Sequence, residues 1–208
     1  MVLPKTEGGF DAAAYLAWEE AQPGRNEYIA GEVFAMVGVR QSHNVATLNI
    51  ATMLRQALKG SPCRVFVESV KTRIEAADCF FYPDVLVTCD PRDRQTPAYV
   101  SHPLLLVEVL SDSTVAFDRG AKFAAYRKLE SLLDYVLIDV AAQRIEVFRR
   151  NPENHWVLYE YGPGDSLELS SLSLHLDVGE LLDDTLEEVQ DDTPEDRRQA
   201  LAHPGNKP

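Results

Sequence analysis

One run of seven residues, Leu104-Leu105-Leu106-Val107-Glu108-Val109-Leu110, constrains the fold of this chain more than any other stretch. Successive side chains of a strand point to opposite faces, so a run apolar at both parities must be covered on both sides. That is the signature of a central strand in a sheet flanked by helices. The same run holds one carboxylate, Glu108. Leaving it charged and unpaired in such a place would cost on the order of several kcal/mol, so it requires a cation, a proton or a metal.

The rest of the chain supplies the layers this strand needs. Residues 11–21 read as a helix stopped by Pro23-Gly24, and 44–58 as a longer amphipathic helix with Val45, Leu48, Ala51, Leu54 and Leu58 at helical spacing. Between them 27–29 and 32–37 alternate as a hairpin turning at Ala30-Gly31. Short β-branched or apolar segments follow at 64–68, 72–75, 84–89 and 104–110. Residues 118–129 read as a helix capped by Asp118, with Phe123, Tyr126 and Leu129 three apart. Strands at 135–140, 144–149 and 156–161 complete the sheet, and a short helix is expected over 178–182. This order predicts a single α/β (α+β) domain, a mixed β-sheet flanked by helices, over 1–184.

Charge and cysteine content bear on partners and compartment. The chain carries 33 acids and 20 bases, a net charge of -13, so a basic face for indiscriminate nucleic-acid binding is not the default expectation. Ten of the acids and three of the bases fall from Asp177 onward, and 185–208 reads as an acidic, disordered tail. Apolar runs are too short to span a bilayer and residues 1–10 lack a charged-then-apolar signal pattern, which predicts a cytoplasmic protein without a membrane partner. Cys63, Cys89 and Cys79 are odd in number and form no CxxC pair. They read as three buried small hydrophobes, not as a disulfide or a zinc site.

Three residues stand out as chemistry. Asp84 opens a strand right after Pro83, a residue tolerated at a strand's first position. If the strands of Asp84 and Glu108 are neighbours, their carboxylates meet at one end of the sheet, an arrangement suited to a hard divalent cation. Lys122 sits in the following helix. It can reach that pair and stabilise developing charge, or it can lie in solvent as an i, i+4 partner of Asp118. Glu108 reads equally as half of a buried salt bridge, and Asp84 as a turn acid. His43, with Ser42, stands at a helix start, open to a phosphate contact or to plain packing. Ser111, Ser113 and Thr114 read as ordinary loop residues. The arginines Arg144, Arg149 and Arg150 mark either a backbone-contacting edge or a solvated strand face. No GxSxG elbow, P-loop or HxxxH pair is present.

Glu27-Tyr28-Ile29-Ala30-Gly31-Glu32, His43-Asn44, Pro83-Asp84-Val85, Glu108-Val109-Leu110-Ser111 and Asp118 through Lys122 to Tyr126 follow one another in an order that resembles the Uma-two family of restriction endonucleases, within the PD-(D/E)XK nuclease superfamily. The resemblance runs from about Tyr15 to Leu182. It implies a restriction-endonuclease-like fold and makes Asp84 and Glu108 the metal-binding pair for Mg²⁺ or Mn²⁺. The superfamily's usual lysine position, two after Glu108, is Leu110; Lys122 takes that role from the neighbouring helix. Glu27 corresponds to the N-terminal acid near the metal. Ala30 replaces the Asp more usual in this turn. The activity implied is metal-dependent phosphodiester hydrolysis on nucleic acid, DNA foremost. Two alternatives are a nuclease-fold binding or assembly module without catalysis and a hydrolase of a small phosphorylated metabolite. Exposed strand edges such as 156–161 suggest a homodimer.

Overall fold

The computed structural model describes residues 10–36 and 38–185, so residues 186–208 of the expected disordered tail, the first nine residues and the Val37 end of the hairpin lie outside the described residues, while Thr185, expected to begin that tail, is buried and donates to the Leu182 carbonyl. The core is a six-stranded mixed sheet in the order β11-β10-β9-β8-β6-β3, formed by Trp156–Tyr161, Arg144–Arg150, Asp134–Asp139, Leu105–Val109, Val85–Thr88 and Arg64–Val67. As its run of apolar residues requires, β8 is central and buried along its whole length. Its odd-numbered residues Leu105, Val107 and Val109 face helix α2 (Gln41–Ala57), packing with Ala46, Ile50 and Leu54. Leu106 faces the opposite layer, where Phe123 and Tyr126 lie. Glu108 shares that second parity, and this alone aims it at the helix that follows β8.

Strands β8 and β9 are parallel, so the chain between them must cross over, and it does so through helical residues 115–126. This crossover differs from the predicted capped helix. It begins at Val115, upstream of Asp118, and its middle, Asp118–Lys122, is a π-helical turn. Asp118 is therefore not a cap; it sits inside the helix with its side chain turned inward. A π turn of this kind widens the helix locally and re-aims side chains, here Asp118 and Lys122 together.

A second sheet, β2-β1-β5-β4-β7, uses Glu32–Ala35, Asn26–Ile29, Cys79–Phe81, Lys71–Ile74 and Tyr99–Val100. Its hairpin β1–β2 turns at Ala30 and Gly31, with φ of 46° and 94°, the left-handed pair that a tight two-residue turn demands. Helix α1 (Ala12–Glu19), capped by the Asp11 carboxylate, packs Tyr15 on Tyr28 and Phe80. A final hairpin, β12 (Ser166–Leu169) with β13 (Leu174–Asp177), leads into the short helix Val178–Leu181.

The cysteine expectation is corrected. Cys63 and Cys89 form a disulfide, and only Cys79, which is buried, is a free thiol. The cause is register: Arg64 pairs with Thr88 across antiparallel β3 and β6, which sets Cys63 and Cys89 opposite each other one position further out. The arginines of β10 are tied into the fold. Arg149 contacts Asp134 and Glu168, Arg144 contacts Glu146 and Glu160, and Arg150 donates to the carbonyls of Arg127, Leu129 and Glu130. Among the described residues, no helix is long and apolar enough to cross a membrane. Strand β11 is the free edge of the large sheet and exposes Leu158 and Tyr159.

Candidate metal and catalytic site

Strands β6 and β8 are antiparallel neighbours with Val85 opposite Val107, so Asp84 and Glu108 stand across from each other at one end of the sheet. Both are buried, Glu108 to 3 % exposure. The Val109 amide donates to Asp84 Oδ2 at 2.7 Å, stitching the first acid to the strand that bears the second. His43, from the first turn of α2, brings Nε2 to 3.2 Å from the same oxygen. Burial lowers the imidazole pKa, but the Asp84 contact outweighs it, and the net direction is upward.

Lys122 is not a surface lysine. It is 6 % exposed, and its Nζ lies 3.0 Å from Glu108 Oε1, 3.2 Å from Glu27 Oε1 and 3.6 Å from Asp118 Oδ1. The contact with Asp118 has the i, i+4 spacing of the bland reading, but it is buried and shared with two more acids. Tyr126, one helical turn on, donates its hydroxyl to Glu108 Oε1 at 2.8 Å, and the Tyr82 amide donates to Glu27 Oε1 at 3.1 Å. Three carboxylates, Glu27, Glu108 and Asp118, thus converge around one ammonium, and Asp84 stands across from Glu108 beside them.

The proton affinities follow from that imbalance. Burial drives Glu108 well above the usual carboxylate range; Lys122 pulls it down, while Asp118, Asp84 and Glu27 push it further up. Burial also raises Asp118, with Lys122 opposing. For Lys122, burial disfavours the charge, yet Glu108, Glu27 and Asp118 outweigh it and hold the ammonium more firmly than in water. Lys122 is therefore a cation at neutral pH, not a base. The four acids carry more negative charge than one ammonium cancels, and a divalent cation fits both the charge and the hard oxygen donors.

Of the residues singled out in the sequence, Asp84, Glu108, Lys122 and Glu27 come together around a cavity of about 370 Å³. His43, Ser111, Ser113, Thr114 and Asp118 also line it. Ser111 is bonded to the hydroxyls of Ser113 and Thr114, which organises the loop at the cavity wall. Among the described residues, His102, His155 and His175 do not line this cavity. Sequence reasoning placed the Asp118–Lys122 pair in solvent, whereas the structure buries it, and missed two features, the hydroxyl of Tyr126 on Glu108 and Glu68. The last has an acidic oxygen grouped with His43 and Asp84 within 4.8 Å. A tyrosine one turn after Lys122 was the available signal for the hydroxyl; nothing local marks Glu68.

Comparison with known proteins adds to this geometry. A family model described as "Uma2: Putative restriction endonuclease" matches residues 12–179. Two proteins of Synechocystis sp., each called an uncharacterized protein, are similar: slr1290 is 38% identical over 79% of this chain and 86% of its own, and sll1609 is 32% identical over 84% of this chain and 100% of its own. The crystal structure from Anabaena variabilis titled "a putative nuclease belonging to DUF820" superposes with a TM-score of 0.64 at 19% identity, covering 79% of this chain and 93% of that one. At that identity the likeness establishes the fold.

Proposed function

This chain belongs to the Uma2 family, and from that premise we propose that it is a divalent-metal-dependent endonuclease that hydrolyses phosphodiester bonds in DNA. The observation that carries the reading is the convergence of Asp84 and Glu108 on adjacent strand ends with the Lys122 ammonium 3.0 Å from Glu108. The contacts above occupy Oδ2 of Asp84 and Oε1 of Glu108, which leaves the other oxygen of each as a donor for Mg²⁺ or Mn²⁺. When bound there, such an ion supplies Lewis acidity toward a phosphoryl oxygen and makes water more acidic. The chain's own groups do the rest. Lys122, held as a cation, stabilises charge that develops on the phosphate and orients the attacking water. Tyr126 and the Val109 amide fix the two carboxylates, so little reorganisation is needed at the moment of reaction. Glu27, anchored by the Tyr82 amide, closes the far side of the cavity and keeps Lys122 between two acids.

The test is cleavage of supercoiled and linear DNA by the full chain in Mg²⁺ or Mn²⁺, against Asp84→Asn and Glu108→Gln with folding verified by circular dichroism. Both variants should lose cleavage while keeping the fold. Cleavage that survives in both removes this mechanism. A folded wild type that takes up the ion but cleaves no nucleic acid establishes the non-catalytic module instead.

A further inference from the structure

Asp84 has a second set of neighbours besides Glu108. His43 Nε2, a Glu68 carboxylate oxygen and an Asp84 carboxylate oxygen all lie within 4.8 Å of one another, the one such three-ligand group among the described residues. Ligands held about 2.1 Å from a single ion are at most about 4.2 Å apart, so adjustments of roughly half an ångström bring these three onto one centre. Three elements supply them: α2 gives His43, the end of β3 gives Glu68 and the start of β6 gives Asp84. Glu68 adopts φ of 47°, a conformation costly for a non-glycine residue, and its amide donates to the Asp84 carbonyl at 2.9 Å, which fixes the two acids together.

His43 supplies the independent observation. The residue is 8 % exposed, its Nε2 is aimed into the group, and its Nδ1 is buried without a hydrogen-bond partner. An ion held at Nε2 requires the neutral tautomer that carries its proton on Nδ1. Arg25, 42% exposed, lies 3.9 Å from the Glu68 carboxylate and donates to the Glu68 carbonyl at 2.9 Å. Asp84 lines both the catalytic cavity and a second one of about 470 Å³ that holds Glu68 and Lys71, so an ion and its waters have access from either side.

We propose that His43, Glu68 and Asp84 form a divalent-cation site of one nitrogen and two oxygen donors, selective for a first-row transition ion such as Mn²⁺ over Mg²⁺. Imidazole is a poor partner for Mg²⁺, which demands oxygen, and a good one for transition ions. The site shares Asp84 with the nuclease reading and rests on that reading only in this residue, since Glu108 takes no part. The experiment is titration of the full chain with Mn²⁺ alone, followed by electron paramagnetic resonance, with pulsed measurements of nitrogen coupling to the bound ion. The wild type should bind Mn²⁺ with an imidazole nitrogen signature and resist displacement by Mg²⁺. His43→Gln should abolish the nitrogen signal, and His43→Gln and Glu68→Gln should each weaken affinity at least about 10-fold. Glu108→Gln, folded by circular dichroism, should lose only the Mn²⁺ held with Glu108 and keep the nitrogen-coupled ion. Bound Mn²⁺ without nitrogen coupling, or binding lost in Glu108→Gln but intact in His43→Gln and Glu68→Gln, overturns the proposal and leaves the Asp84 and Glu108 site standing. A nitrogen-coupled ion in a chain that cleaves no DNA supports the site and sinks the nuclease reading alone.

Discussion

Replacing Lys122 by Met removes one charge from the centre of a buried acidic cluster, and the structure says how much that should cost. The ammonium is within 3.6 Å of three carboxylates, from Glu27, Glu108 and Asp118, each less than 10 % exposed. Methionine fills most of the volume, so the loss is electrostatic. Breaking a buried pair by deleting one partner destabilises by about 3–5 kcal/mol, because the remaining charge has neither water nor counter-ion. For a chain of this size that is a fall in Tm of about 6–20 °C. The pH dependence has a definite sign. Glu108 already holds its proton more tightly in the folded state because of burial, and removal of Lys122 takes away what pulled its pKa down. The folded variant then binds more protons than the unfolded chain, so its stability drops as pH rises above the ordinary carboxylate range. Urea denaturation in EDTA at pH 5 and pH 8, read by circular dichroism, should show a small deficit at the first and the full deficit at the second. A variant as stable as wild type at pH 8, or equally damaged at both, would refute a buried acidic cluster dependent on Lys122.

Tyr126→Phe deletes only the hydroxyl that donates to Glu108, and should cost about 1.5–3 kcal/mol in denaturant stability with the aromatic packing on Phe81 and Tyr135 retained. Ala30→Asn places a residue tolerant of left-handed backbone at φ 46°, and differential scanning calorimetry should show a gain of about 0.5–1 kcal/mol. Burial, with Asp78 beside it, pushes the Cys79 thiol to about 11, so at pH 8 only on the order of one molecule in a thousand carries the thiolate; iodoacetamide should label Cys79 rapidly only after denaturation. Reduction of Cys63–Cys89, which closes a loop of 26 residues, should lower the Tm, the chain-entropy effect being worth about 3–4 kcal/mol.

Residues were legible in the sequence where their chemistry conflicted with their surroundings. Glu108 interrupts a run apolar on both faces, and Asp84 follows a proline that fixes a strand start; the antiparallel pairing of their strands then brings them together. Lys122 was placed by helical spacing, although its burial depends on the π turn. That turn is invisible to local pattern, and the acids its lysine meets from other elements are Glu27 and Glu108. Glu68 and the Cys63–Cys89 pair are illegible for the same reason: both depend on the register of β3 against β6, two strands separated by 17 residues of intervening chain that include β4 and β5. Strands β5 and β7, of three and two residues, are too short for an alternation to show.

The chain's acidity bears directly on how the proposed substrate would be held. Its arginines near the large sheet are spent internally: Arg119 on Glu146 and Asp139, Arg149 on Asp134 and Glu168, Arg150 on backbone carbonyls. These arginines are not free to replace the counter-ions of a DNA backbone, and the cavity that would receive the scissile phosphate is lined by Glu27, Asp84, Glu108 and Asp118. Without a divalent ion that cavity repels phosphate, and affinity should fall below the range of about 10⁻⁴–10⁻⁶ M usual for non-specific binding. With the ion, two of the repelling acids become ligands and the ion itself offers the phosphate a positive charge. Fluorescence anisotropy of a labelled duplex, measured with the Lys122→Met chain, expected not to cleave, at pH 6 in EDTA and then in Mn²⁺, should show binding only in the second. Tight, strongly salt-dependent binding in EDTA would mean that DNA is held by a basic surface elsewhere, and the acidic cavity would lose its claim as the docking point.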